Sequence, residues 1–189
     1  SEVYGEPVEF PQNEYTTPLN SRLPYAIVKN VGEAFLRSYK QEYDLDYTIF
    51  RFFNTYGPNQ SEDFVMSRFI RAALNNQDLT IYGDGSQTRT FCYVEDNVDA
   101  CLNAFYKNKL VNDVVYIGTD FEITILDLAK KIIKLSGSKS KIVHLPPLKE
   151  GDMTRRCPDV SNMKKLLGRK MTSIDDGIRI LLKEFRKRK

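Results

Sequence analysis

Segments with helical periodicity alternate with short β-branched or aromatic runs along almost the whole chain, and this alternation constrains its fold most. Strands and helices interleaved in this way bury their apolar faces in an α/β architecture. The spacing of Val28, Val31, Phe35, Leu36 and Tyr39 predicts a helix from about Tyr25 to Tyr43. The run Tyr47–Phe53 (YTIFRFF) reads as a buried strand that ends in the turn Asn54-Thr55-Tyr56-Gly57-Pro58. Beyond it the pattern predicts a helix over Asp63–Leu74, a strand over Leu79–Tyr82, a turn at Gly83-Asp84-Gly85 and a strand over Thr88–Val94. Helix Asp96–Tyr106 and strand Asp113–Ile117 follow. Thr124, with Asp127 three residues on, caps a helix ending at Ser136-Gly137. Lys141–Leu145 is a strand, Ser161 opens a short helix, and Ser173 with Asp176 caps the last one. Glu6–Pro24 carries three prolines and little periodicity, so it reads as a long loop. A boundary near residue 60 separates the remnant of one domain (1–60) from a smaller α/β unit (61–189).

Composition excludes several function classes. With 41% hydrophobic residues the chain has ample material for a core, and 28 Lys plus Arg against 25 Asp plus Glu leave a net charge of only +3. So mild an excess predicts neither nucleic-acid nor membrane binding. The terminal RKRK ends a helix, where cations complement the helix dipole. One histidine, His144, makes a histidine-rich zinc site impossible, and no metal is expected. Cys92, Cys101 and Cys157 are odd in number and without CxxC spacing, which favours a reducing, cytoplasmic setting. There is neither a signal-peptide pattern nor an apolar run of the ~20 residues a membrane span needs. The chain opens at Ser1 inside a strand-like run, and is expected to be a fragment, processed product or trimmed piece.

Tyr25 and Lys29 stand one helical turn apart and share a face of the first predicted helix. An ammonium beside a phenol favours the phenolate, which makes a general base usable at neutral pH. The same spacing occurs by chance in many helices. Here, however, SEVYG, PYAIVK, RFFNTYGP, LTIYGDGSQTRTFCYVED and GDMTRRCPD follow one another in order. In that order they resemble the extended short-chain dehydrogenase/reductase family, specifically its nucleotide-sugar epimerases, dehydratases and decarboxylases, over essentially the whole chain. The resemblance implies the C-terminal part of a Rossmann-type parallel sheet followed by a small α/β substrate-binding domain. It also implies NAD, rather than NADP, as cofactor. The family's glycine-rich GxxGxxG turn and its catalytic Ser or Thr belong upstream of Ser1 and are not expected within 1–189.

The resemblance assigns roles residue by residue. Tyr25 is the base that takes a proton from a sugar hydroxyl, and Lys29 hydrogen-bonds the nicotinamide ribose. Thr55 offers backbone groups near the nicotinamide. Asn54 contacts the sugar diphosphate, with a turn-forming asparagine before Gly-Pro as the alternative. Arg89 grips the diphosphate, a use suited to a guanidinium's paired donors. Tyr82 lies near the nucleotide base, or else in the core. Arg156 matches a diphosphate-binding or proton-donating arginine; its neighbour Arg155 takes the role if the register slips by one. Ser1 and Glu2 fall at a catalytic pair that differs between reactions. Dehydratases carry Asp-Glu there, decarboxylases carry Ser-Glu as here, and epimerases tolerate variety. The decarboxylases' tyrosine motif, and an arginine they place near Phe64, do not match. The expected activity is 4-epimerisation of a UDP-type sugar, with UDP-glucuronate decarboxylation and non-catalytic sugar-nucleotide binding as alternatives. The family also implies a homodimer through the Tyr25–Tyr43 helix.

Overall fold

The computed structural model describes residues 9–17, 19, 24–147, 155 and 157–188. Its first helix, α1 (Pro24–Tyr43), opens on a proline, whose fixed φ and missing N–H suit a first helical position. β1 (Thr48–Phe52) follows, then the short β2 (Thr55–Tyr56) and α2 (Val65–Leu74). β3 (Leu79–Tyr82), β4 (Thr88–Thr90), β5 (Cys92–Tyr93) and α3 (Val94–Tyr106) come next. β6 (Asp113–Ile117), β7 (Glu122–Thr124), α4 (Ile125–Ser136), β8 (Ile142–Leu145), α5 (Ser161–Leu167) and α6 (Ile174–Lys187) complete the order.

Among the described residues three parallel strand pairs and one antiparallel pair organise these elements. β1 runs parallel to β6 from Thr48↔Asp113 to Phe52↔Ile117, and Phe53 N–H extends the ladder to Ile117 O at 2.8 Å. β6 therefore returns the chain beside β1 after an excursion of some sixty residues. Between α3, α5 and β6 lies one core of Ala100, Ala104, Val115, Ile117, Val160, Met163 and Leu166. The other core packs α2, β3, α4 and α6 around Phe69, Ile70, Leu79, Ile81, Leu128, Ile132, Ile178 and Leu181. Each fully buried Leu or Ile there contributes about 1.5–3 kcal/mol of transfer free energy.

The predicted caps are present. Thr124 Oγ1 accepts from Asp127 N at 2.9 Å, Gly137 closes α4 at φ 70°, and Ser173 Oγ accepts from Asp176 N at 3.1 Å. Three expectations change. The Thr88–Val94 run is two strands, because β4 pairs antiparallel with β7 whereas β5 pairs parallel with β2, so the chain steps between pairings at Phe91. α2 begins at Val65 rather than Asp63: Ser61 Oγ donates to Asp63 Oδ2 at 2.7 Å, and this local turn competes with helix. α3 begins two residues early, at Val94, and its fully buried Asp96 accepts from Arg169 Nη1 at 2.6 Å and Thr172 N at 2.7 Å.

The basic C-terminus is used inside the fold. Arg188 donates to Pro58 O and Asn59 Oδ1, both at 2.8 Å, and Arg186 donates to Ser136 O at the end of α4 at 3.2 Å. His144 Nδ1 lies 2.8 Å from Gly83 O and braces the turn there. Among the described residues no helix is long and apolar enough to cross a membrane.

Candidate active site

A cavity of about 510 Å³ opens at the carboxyl end of β1, the edge at which open α/β sheets present ligands. Tyr25, Asn54, Thr55, Tyr82 and Arg89 all line it, although they arise from α1, the β1–β2 connection, β3 and β4. Among the described lining residues stand two arginines, Arg68 and Arg89, and no aspartate or glutamate. A larger cavity of about 620 Å³ lies beside the N-terminus of α6 and holds none of the predicted site residues. Three of the four cations in its described lining are paired: Lys131 with Asp175 at 2.7 Å, Lys164 with Asp120 at 2.6 Å, and Arg169 with Asp96 and Asp99. Chemistry therefore favours the smaller one.

Tyr25 sits in the first turn of α1, 62% exposed, with Lys29 Nζ 5.3 Å from the centre of its ring. Only Ala26 and Glu33 of this twenty-residue helix are buried. Glu33 is held by Arg51 of β1 through two parallel hydrogen bonds of 2.8 Å, with both residues 6% exposed. Arg37 Nη2 adds a third contact to Glu33 at 3.4 Å. Tyr25, Lys29 and Glu33 recur at successive turns of α1, and Arg51 stands just ahead of Asn54. The pair thus ties the helix bearing the phenol to the strand that delivers the asparagine. The sequence reading missed it; the signal was a lone arginine within YTIFRFF, since a cation in a buried strand needs a carboxylate.

Asn54 adopts φ 28°, a left-handed conformation that asparagine tolerates better than most residues. Its carbonyl accepts from Cys92 N at 3.1 Å, which anchors the bend to β5. Its Nδ2 is shut off from solvent and has no hydrogen-bond partner among the described residues. Thr55 is more committed: its hydroxyl accepts from Asn97 Nδ2 at 2.6 Å and its carbonyl from Gln60 Nε2 at 2.7 Å.

On the opposite wall, Tyr82 ends β3 and Arg89 lies on β4, beyond the turn formed by Gly83 and Gly85 at φ 69° and 78°. A Cβ on Gly85 would also come within 3.1 Å of Ile81 Cγ2 and Leu126 Cβ. Arg89 Nη1 donates to Thr88 O at 2.7 Å. β7 supports this wall from behind. Its Glu122 takes a two-pronged grip from Arg155, at 2.9 and 2.7 Å, which together with the Thr88 hydroxyl holds the carboxyl below the usual range. Ser1, Glu2 and Arg156 lie outside the described residues. Arg68, Gln60 and Gln87 line the cavity and were not anticipated. Arg68 was masked by its place between Ser67 and Phe69 in an otherwise buried helical stripe.

Burial pushes the Cys92 thiol up to about 12, with Asp96 adding to the effect, so it is a packing residue. Among the described residues no group of three or more His, Cys, Asp or Glu side chains could hold a metal ion.

A family model described as the NAD dependent epimerase/dehydratase family matches residues 1–118, more than half of the chain. The chain belongs to that family. UDP-glucuronic acid decarboxylase 1 of Danio rerio is 35% identical over 192 residues, an alignment covering 98% of this chain and 45% of the relative. UDP-glucose 4-epimerase of Thermotoga maritima, solved with UDP-glucose, superposes with a TM-score of 0.91 at 34% identity, covering 99% of this chain and 61% of that one. UDP-glucuronic acid 4-epimerase of Bacillus cereus, solved with UDP-glucuronic acid and NAD, gives 0.87 at 29% identity, covering 100% and 60%. The chain thus spans about half the length of the curated relatives it matches. These likenesses carry the fold: an α/β structure with parallel strand pairs of the Rossmann-like kind.

Proposed function

We propose that this chain carries the proton-transfer residues and the sugar-nucleotide site of an NAD-dependent nucleotide-sugar 4-epimerase acting on a UDP-linked sugar. The observation that carries the reading is the meeting of Tyr25 and Arg89, from opposite ends of the motif series, on one cavity whose described lining holds two guanidiniums and no carboxylate. Such a lining favours an anionic ligand with an apolar body.

The residues present fit the nicotinamide-ribose end of NAD. Among the described residues the Lys29 ammonium has no acidic partner and only the Tyr25 ring beside it, which leaves its donors for hydroxyl groups. NAD, when bound, supplies the acceptor for the C4 hydride. Tyr25 takes the proton of the C4 hydroxyl and later returns it, the work of a general base and acid. Arg89 pairs with the diphosphate, Asn54 Nδ2 donates to the bound substrate, and Tyr82 flanks the nucleotide base. In this division residues 1–60 carry the nicotinamide side of the site, from which Tyr25 and Asn54 reach the substrate, and 61–189 hold the sugar nucleotide. Arg156, Ser1 and Glu2 keep the roles that the motifs give them.

α1 also supports a homodimer. Val28, Phe35, Tyr39 and Tyr43 are 67%, 61%, 50% and 67% exposed, an apolar stripe that a second copy would cover. Three free cysteines agree with a cytoplasmic setting.

Decarboxylation of a UDP-linked uronate is the second reading, favoured by Ser1-Glu2 and by the uronate decarboxylase among the relatives. The test is NMR of the full-length gene product with UDP-glucose, UDP-glucuronate and NAD. A C4 epimer supports the proposal, and carbon dioxide with a UDP-pentose supports the second reading. No turnover, with UDP still bound, leaves only a binding module.

A further inference from the structure

Resting on that reading of the cavity, we infer that Arg68 is a further anion-binding arginine of the site, acting with Arg89 on the diphosphate of the substrate. Arg68 projects from α2, a helix otherwise buried through Met66, Ser67, Phe69, Ile70 and Ala73, and it lines the cavity. Its Nε is shut off from solvent with no hydrogen-bond partner among the described residues. No carboxylate among them pairs with it, and the one recorded neighbour of its guanidinium is the ring of Phe69, 5.8 Å away. Arg68 is half-buried, and a guanidinium partly withdrawn from water is costly without an anion. Other arginines near this wall have one: Arg155 holds Glu122, and Arg71 lies 2.7 Å from Glu62. Among the described residues nothing takes up the donors of Arg68, which leaves them for a ligand of the cavity.

Charge names the class of ligand. The diphosphate of a nucleotide sugar carries two negative charges, one on each phosphate, and the described lining of the cavity offers two guanidiniums, with Arg156 a further cation in the role the motifs give it. A guanidinium presents donors in a planar fork that matches phosphate oxygens. A sugar carboxylate is the alternative source of the same anionic chemistry.

Calorimetry of the full-length gene product with UDP, UDP-glucose, UDP-glucuronate and uridine separates these cases, using wild type, Arg68→Gln and Arg68→Lys. Arg68→Gln is expected to weaken UDP and both UDP-sugars alike, by about ten- to a hundredfold, the range for a charged hydrogen bond. Uridine should change little, and Arg68→Lys should recover part of the loss. A loss confined to UDP-glucuronate would overturn the diphosphate assignment in favour of the carboxylate. Unchanged affinities for every ligand, with wild type still binding UDP, would overturn any role for Arg68 while the proposed function stands. Failure of wild type to bind UDP at all would remove both. Melting curves of the two variants check that each is folded, and Arg68→Lys, which keeps the charge and most of the stem, remains informative if Arg68→Gln is not.

Discussion

Replacing Arg51 by methionine should cost the protein more than any other single change on β1. Glu33 and Arg51 are each 6% exposed and share two hydrogen bonds of 2.8 Å, so removing the guanidinium leaves a buried carboxylate. Breaking such a pair from one side costs about 3–5 kcal/mol. Arg37 Nη2, 3.4 Å from Glu33 and about half exposed, offers partial compensation, which favours the lower end. For a chain of this size ~3 kcal/mol corresponds to a fall in Tm of roughly 6–12 °C. The double variant Glu33→Leu/Arg51→Met removes both charges and fills the space with apolar atoms. It should regain most of the loss and lie within about 1 kcal/mol of wild type. The assay is urea unfolding of wild type, the Arg51→Met and Glu33→Leu single variants and the double variant as a double-mutant cycle. A change below about 0.5 kcal/mol in Arg51→Met, or a double variant no more stable than the worse single one, would refute the reasoning. The variants also probe the site, because this buried pair links α1 to β1.

Glu122→Gln should destabilise by less than about 1 kcal/mol at pH 7, since Arg155 is 48% exposed and solvent screens the pair. Because the folded-state carboxyl is held low, its contribution is present above the unfolded value near ~4.3 and fades as pH falls through the folded one; melting curves of variant and wild type should converge once the pH is below that folded value. Burial raises the thiols of Cys92 to about 12 and of Cys101 and Cys157 to about 11, so iodoacetamide at pH 8 should label the native chain far more slowly than the chain in guanidinium. Rapid labelling of Cys92 in the native state would contradict its place in the core. Gly177→Ala should destabilise by about 1–3 kcal/mol, because a Cβ there runs into the buried Tyr56 hydroxyl; a neutral effect in thermal melts would show that Tyr56 moves freely.

Legibility in the sequence follows the range of the interaction. α4 and α6 could be read to their caps, since Thr124 with Asp127 and Ser173 with Asp176 act within one turn. β6 could be read because Asp113–Ile117 is β-branched and aromatic. β2 and β7 could not: they are two and three residues long and exist only through partners distant in sequence, Cys92–Tyr93 and Thr88–Thr90. The same distinction holds at the site. Tyr25, Asn54, Tyr82 and Arg89 stand in local motifs, and the fold brings them to one cavity. Arg68 carries no local pattern, since what distinguishes it is the want of a partner among the described residues, and the Glu33–Arg51 pair shows locally only as a lone arginine in YTIFRFF whose carboxylate lies on another element.

The account stands most directly on the Tyr25 phenol, and steady-state turnover of Tyr25→Phe in the full-length gene product with its UDP-sugar and NAD measures it. The substitution removes one oxygen from a residue that is 62% exposed on the cavity wall, so folding and substrate affinity should change little. Loss of a general base predicts a fall in kcat of at least ~100-fold with KM nearly unchanged. A kcat within a few-fold of wild type would contradict the account, whatever the cavity binds.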